Sequence, residues 1–143
     1  LVALDLENLA VRWRLPHGGA AGPTLDGEWL YHPGTDGKLR KVHAIQGTVA
    51  WTWDSKTTGA LTQPQITAAG VLITSTEGSL YLVDPETGTT AWDYAPDFAL
   101  QGVTATPTII GRQVIAVTNA GNIISLIAPE TATPESPWWT ETL

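Results

Sequence analysis

A motif that returns at a fixed spacing limits the folds open to a chain, because every copy must build the same small unit. The best-formed copy here is Leu80-Tyr81-Leu82-Val83-Asp84-Pro85-Glu86-Thr87-Gly88-Thr89-Thr90-Ala91-Trp92. Leu80 and Leu82, then Trp92 and Tyr94, alternate with neighbours free to face the other way, which is the period of a strand. Pro85 to Gly88 supplies turn chemistry between the two runs. Gly47 and Trp51 repeat the spacing of Gly88 and Trp92, 41 positions upstream. Asp5 and Trp13 keep the separation of eight between Asp84 and Trp92, and Trp13 stands 38 positions before Trp51. Downstream, Pro129-Glu130-Thr131 copies Pro85-Glu86-Thr87, and Trp138 follows after the insertion Pro134-Glu135-Ser136-Pro137.

A second pair of markers keeps the same register. A proline precedes a hairpin glycine by 14 positions at Pro23 and Gly37, Pro64 and Gly78, and Pro107 and Gly121, and these prolines are 41 and 43 apart. Between the markers lie short alternating runs: Val2–Leu4 and Val11–Leu15, then Pro23–Leu25, Glu28–Tyr31, Leu39–Ala44 and Thr48–Trp53. The next unit reads Gln65–Thr67, Val71–Ser75, Leu80–Asp84 and Thr89–Tyr94, and the last Thr108–Ile110, Gln113–Thr118, Asn122–Ile127 and a strand around Trp138. Thr35-Asp36-Gly37 and Glu77-Gly78 are the tight turns inside two of the units. No stretch carries helical periodicity.

Four-stranded units recurring at 41 to 43 residues imply an all-β chain of antiparallel β-propeller blades. The expected division of the single segment 1–143 is a half blade over 1–16 and whole blades over 17–55, 56–96 and 97–143, about three and a half blades in all. Trp13, Trp51, Trp92 and Trp138 are expected to dock each blade on the next from its outer strand, each indole N–H needing one backbone acceptor. Asp5 and Asp84 are expected to cap the turns, and Gly47 and Gly88 to allow them. The fourth copy departs most: Ala132 stands where Gly88 stands and Ala128 where Asp84 stands.

The pairs Trp53-Asp54 and Trp92-Asp93 suggest a WD-type repeat, but the order is wrong, since Thr87-Gly88 precedes Trp92 and no Gly-His pair occurs. The order Ala-x-Asp-x-x-Thr-Gly-x-x-x-Trp instead resembles the tryptophan-docking repeat of the pyrroloquinoline-quinone-like propellers. That family includes the quinoprotein alcohol dehydrogenases and the BamB-type outer-membrane assembly lipoproteins. Asp84, Thr87, Gly88 and Trp92 fit the pattern, with Leu82 in place of alanine. The first copy keeps Ala3, Asp5 and Trp13 but has Asn8-Leu9 for Thr-Gly, and the second keeps Gly47 and Trp51 but has His43 at the aspartate. The fourth keeps Thr131 and the displaced Trp138. The family's enzymes hold the quinone beside calcium with acidic and amide side chains, often with adjacent cysteines, and no such constellation maps onto this chain. The resemblance therefore implies the non-catalytic branch, a protein-binding scaffold of the periplasm or extracellular space, with no cofactor and no metal.

Composition bears on the same question. A net charge of -7 without a basic cluster argues against a nucleic-acid surface. No apolar run nears the roughly 18 residues that span a bilayer, and the absence of cysteine removes disulfides, thiolate zinc sites and cysteine nucleophiles. His17, His32 and His43 have no metal-site spacing and are expected to be surface or hydrogen-bonding imidazoles. The serines lack a nucleophile elbow, and the glycine pairs lack the lysine of a phosphate loop. Connectors outside the repeat are more open to a partner. Among them Asp97 and Phe98, the chain's one phenylalanine, form the candidate partner-contact loop.

About three and a half blades do not close a ring, since single-chain propellers have about four to eight. The rest is expected either from a longer parent chain, as part of a seven- or eight-bladed propeller, or from a second copy. Two functional classes follow: a protein-interaction scaffold with an unidentified protein partner, or a fragment of a quinone-dependent dehydrogenase. An extracellular sensor module of a membrane kinase is a third.

Overall fold

The computed structural model describes residues 1–95, 102–103 and 105–127, and these form strands and turns only. Strands β1 (Val2–Leu4) and β2 (Val11–Arg14) make a two-stranded antiparallel sheet. A four-stranded sheet follows in the order β3 (Thr24–Asp26), β4 (Trp29–Pro33), β5 (Lys38–His43) and β6 (Val49–Asp54). A second repeats the plan with β7 (Gln65–Thr67), β8 (Gly70–Thr74), β9 (Leu80–Val83) and β10 (Thr90–Tyr94). The last described sheet holds β11 (Thr108–Ile110), β12 (Gln113–Val117) and β13 (Ile123–Ile127). Each sheet is an antiparallel meander, so each strand pairs with its sequence neighbour and the sheets follow one another as an open series of blades.

The middle strands show why the chain folds this way. Every residue of β8 and β9 is buried, and their near-continuous apolar sequences suit strands covered on both faces. The two faces serve different neighbours. Val71, Ile73, Tyr81 and Val83 pack with Tyr31, Leu39 and Trp53 of the blade before. Leu72, Leu80 and Leu82 pack with Val114 and Leu126 of the blade after. No blade closes its own core; the core is the set of seams between blades, as a repeat architecture requires.

Tight turns fix the register. Gly37 and Gly78, at φ +69° and +100°, turn the chain between the second and third strands of their blades, where glycine alone adopts such angles freely. Offsets in the pairing recur at Ala3/Leu4, Lys41/Val42 and Thr90/Trp92, where the third strand meets the fourth. Such bulges increase the local twist of the outer strand. The fourth strand expected around Trp138 lies outside the described residues, as do Asp97 and Phe98.

Candidate functional site at the blade seams

The turn between the third and fourth strand is the same object in three blades. Leu9 N–H donates to the Asp5 carbonyl at 2.8 Å, Gly47 N–H to the His43 carbonyl at 2.8 Å, and Gly88 N–H to the Asp84 carbonyl at 2.9 Å. All three donors have positive φ, at +59°, +72° and +67°. The first residue of each turn caps it. Asp84 Oδ1 accepts the N–H groups of Glu86 and Thr87, both at 2.8 Å. These bonds, that of Thr87 foremost, hold the Asp84 carboxyl below the usual range. Asp5 Oδ1 accepts Glu7 N–H at 2.9 Å, while its other oxygen takes the Arg12 guanidinium, which lowers its pKa most. In the middle blade His43 substitutes for the carboxylate: its Nδ1 accepts the N–H groups of Ile45 and Gln46 at 3.3 Å. The imidazole copies the hydrogen-bonding role of an aspartate without its charge.

Two of these turns seat an indole. Trp13 Nε1 donates to the Ala44 carbonyl at 2.9 Å, and Trp51 Nε1 to the Pro85 carbonyl at 3.0 Å, acceptors at the same place in successive turns. The rings lie on the glycines. A β-carbon at Gly47 would come within 2.6 Å of Trp13 Cγ and Cδ2, and one at Gly88 within 2.6 Å of Trp51 Cδ2. Glycine is therefore needed twice over, for the turn angle and for the approach of the ring. The first turn departs from this: Leu9, 70% exposed, puts a side chain where the other turns have none.

Trp92 takes part in the seam beyond, packing against the Leu72, Leu80, Leu82, Val114 and Leu126 cluster and stacking on Tyr94 with centroids 6.4 Å apart. The turn it would face, and Trp138 with it, lie outside the described residues.

Several seam residues were invisible to the repeat motif. Trp53, set aside with the Trp-Asp pair, crosses the seam: its Nε1 donates to Thr90 Oγ1 at 2.8 Å and its ring meets Tyr81 edge-on at 4.9 Å. Lys41, 6% exposed, donates to the Pro85 carbonyl at 2.7 Å and lies 4.7 Å from the Trp29 centroid, so a cation sits beside the Trp51 acceptor. At the inner strands Thr24 Oγ1 donates to the Pro64 carbonyl and Gln65 Nε2 to the Pro107 carbonyl, at 2.5 and 2.6 Å. Two of the periodic prolines, Pro64 and Pro107, thus offer their carbonyls at the start of a blade to the blade before it. The signal for the acceptor was in the sequence; the donors, threonine then glutamine, gave none.

His32 requires a correction. It is not a surface imidazole: it is 1% exposed, and neither ring nitrogen has a hydrogen bond of ordinary geometry, the His17 carbonyl being the acceptor near enough to raise its pKa. The surface reading failed because β4 is a middle strand, both faces of which are covered. No group of three or more histidine, aspartate or glutamate side chains is gathered for a metal among the described residues, and these contain no helix long and apolar enough to cross a membrane.

Four-stranded antiparallel blades packed face to face, with an indole laid across each described seam turn that has a glycine, define a β-propeller fold. The family model for the outer membrane protein assembly factor BamB matches residues 1–143, and the chain belongs to that family. Among solved structures, BamB from Moraxella catarrhalis is similar with a TM-score of 0.73 and 22% identity, over 88% of this chain and 39% of that one. The quinohemoprotein alcohol dehydrogenase from Comamonas testosteroni matches with a TM-score of 0.66 and 19% identity, over 85% of this chain and 22% of that one. The computationally designed Ika8 protein matches with a TM-score of 0.64 and 14% identity, over 75% of this chain and 32% of that one. This chain thus spans 39% or less of the length of each. No curated protein sequence matches it.

Proposed function

We propose that this chain is a segment of a non-catalytic, protein-binding propeller of the cell envelope, working in the periplasm as a scaffold for other proteins. One observation carries the reading: the recurrent polar side chains are consumed by the fold, while bare aliphatic groups are left outside. Asp5, Asp84 and His43 cap turns, and the indoles of Trp13 and Trp51 spend their N–H groups on seam carbonyls. In contrast, Leu6 and Leu9, 90% and 70% exposed, lie on a first turn that no blade of this chain precedes, and Ile45 on the turn of the next blade is 63% exposed. Exposed aliphatic side chains on rigid turns suit contact with a partner protein and offer no acid, base or nucleophile. In this proposal Trp13, Trp51, Trp92 and Trp138 hold the blades in place, and Asp97 and Phe98 belong to a second contact loop.

The test is site-specific photocrosslinking from positions 6 and 45 in a periplasm-targeted protein, with position 56 as the exposed control. The proposal expects one discrete crosslinked protein from both positions, lost on Leu9→Asp. Crosslinks no different from those at position 56 would refute it. The dehydrogenase reading is tested separately by titrating pyrroloquinoline quinone with calcium and following quinone absorbance; stoichiometric uptake would establish it in place of the scaffold.

A further inference from the structure

The segment that enters each blade is clamped to that blade's second strand in the same way. Thr35 N–H donates to the Gly18 carbonyl, Thr76 N–H to the Ala60 carbonyl and Asn119 N–H to the Gly102 carbonyl, at 3.1, 2.8 and 2.8 Å. Ala20 N–H donates to the Pro33 carbonyl and Thr62 N–H to the Thr74 carbonyl, both at 2.9 Å. Isolated bridges pair Gly19 with Gly34 and Leu61 with Ser75. Gly19, Leu61 and Val103 are therefore equivalent positions.

What lies beneath them differs in kind. Leu61 is buried in one apolar cluster with Ile73, and Val103 and Ala116 are likewise buried. In the first of these three blades the equivalent pair is Gly19 and His32. A β-carbon on Gly19 would come within 3.0 Å of His32 Cε1, so the ring takes up the room that the connector side chain has in the next blade. An aliphatic pair has been exchanged for a glycine and an imidazole that fill the same space. The exchange leaves two ring nitrogens, at 1% residue exposure, without a hydrogen bond of ordinary geometry.

We propose that His32 makes this clamp an acid-released latch: protonation of the ring opens the connector 17–22 from β4 while the equivalent clamp on β8 stays shut. An imidazolium has two N–H donors and a charge, and the site offers little to either. Arg40, opposite His32 on β5, is a fixed cation. The carboxylate that could answer it, Asp36 of the β4–β5 turn, has one oxygen bonded to each guanidinium Nη of Arg40. His17 on the connector adds positive charge when protonated, and the His17 carbonyl already accepts from Leu1 N at 3.0 Å. Burial above all lowers the pKa of His32, and the nearby His17 carbonyl opposes it only in part. The sign follows. The open form binds a proton more readily than the closed form, so the latch is stable above the ordinary histidine pKa of about 6.5 and weakens as pH falls below it. For one proton the opening constant rises by up to about tenfold per pH unit.

Amide hydrogen exchange between pH 7.5 and 5, corrected for intrinsic rates, tests this within one molecule. Protection at Ala20 and Thr35 is expected to fall toward tenfold per pH unit below about 6.5, with Thr62 and Thr76 unchanged. The double variant Gly19→Leu, His32→Ile, which installs the side chains of the next blade, is expected to abolish the pH dependence, and His17→Gln to keep it. Flat protection at Ala20 and Thr35, an equal response at Thr62 and Thr76, or a response lost in His17→Gln would overturn the proposal. If the double variant does not fold, the wild-type comparison and His17→Gln decide it.

Discussion

Replacing Gly88 by alanine tests the seam at its tightest point. The added methyl would sit at φ +67° and 2.6 Å from Trp51 Cδ2, so two costs arise together. Holding an ordinary residue in the left-handed region costs about 1–2 kcal/mol. Relieving the overlap means lifting the indole, an overpacking cost of about 1–3 kcal/mol that includes weakening its bond to the Pro85 carbonyl. A total loss of about 2–5 kcal/mol is expected, large against the marginal stability of a domain this size. Urea unfolding followed by tryptophan fluorescence measures it, with the slope unchanged if only stability is altered. Hydrogen exchange of the Trp51 indole N–H reports the seam itself and should lose its protection. Leu9→Gly is the companion variant. Its turn already tolerates a side chain at φ +59° and leaves Leu9 exposed, so its effect should stay within about 1 kcal/mol. A loss below about 1 kcal/mol for Gly88→Ala, with Trp51 still protected, would refute the argument that the ring rests on the glycine.

Other consequences are smaller. Trp51→Phe keeps most of the ring but removes the donor to Pro85, and because Lys41 still donates to that carbonyl the loss should be about 1 kcal/mol by the same urea assay. Thr24→Val removes the hydroxyl that serves the Pro64 carbonyl; a cost of about 1 kcal/mol, not shared by Thr24→Ser, would mark the inner bond as the source. Asp36 has its pKa lowered to about 2 by the side-chain hydrogen bond from Arg40, so its share of stability is present above its unfolded value of 3.8 and lost as pH falls through about 2. With the Asp36 side chain 44% exposed, screening reduces that share to about 1 kcal/mol, and Asp36→Asn should flatten the acid limb of the stability curve by that amount.

How far the fold could be read from the residues depended on which atoms do the work. The turn at Asp84 to Gly88 was legible because backbone geometry demands a short acceptor at its start and a residue at positive φ at its end, and few residue types serve either role. Trp13, Trp51 and Trp92 stood out because an indole is the largest apolar group available and recurs at the period of the blade. The inner bonds of Thr24 and Gln65 were hidden because one carbonyl can be served by a hydroxyl in one blade and an amide in the next. Lys41 gave no signal either, since its burial depends on a neighbouring blade 44 residues away in sequence at Pro85. The burial of His32 was misjudged because exposure belongs to the assembled seam and alternation within one strand does not report it.

The same distinction explains how likeness of shape coexists with little likeness of sequence. Across the solved structures compared, TM-scores of 0.64 to 0.73 accompany identities of 14% to 22%. Within this chain the blades diverge in the same manner while keeping one geometry. His43 does the work of Asp84, and Leu9 holds the turn angle that Gly47 and Gly88 hold elsewhere. Glycine over histidine fills the space that leucine shares with isoleucine one blade on. Close packing constrains the joint volume at a seam, and the turns constrain backbone angles; neither constrains a residue type by itself. A blade can therefore change its chemistry at a covered position, as at His32, without losing its place in the series, and a change of that kind can give one blade a property its neighbours lack.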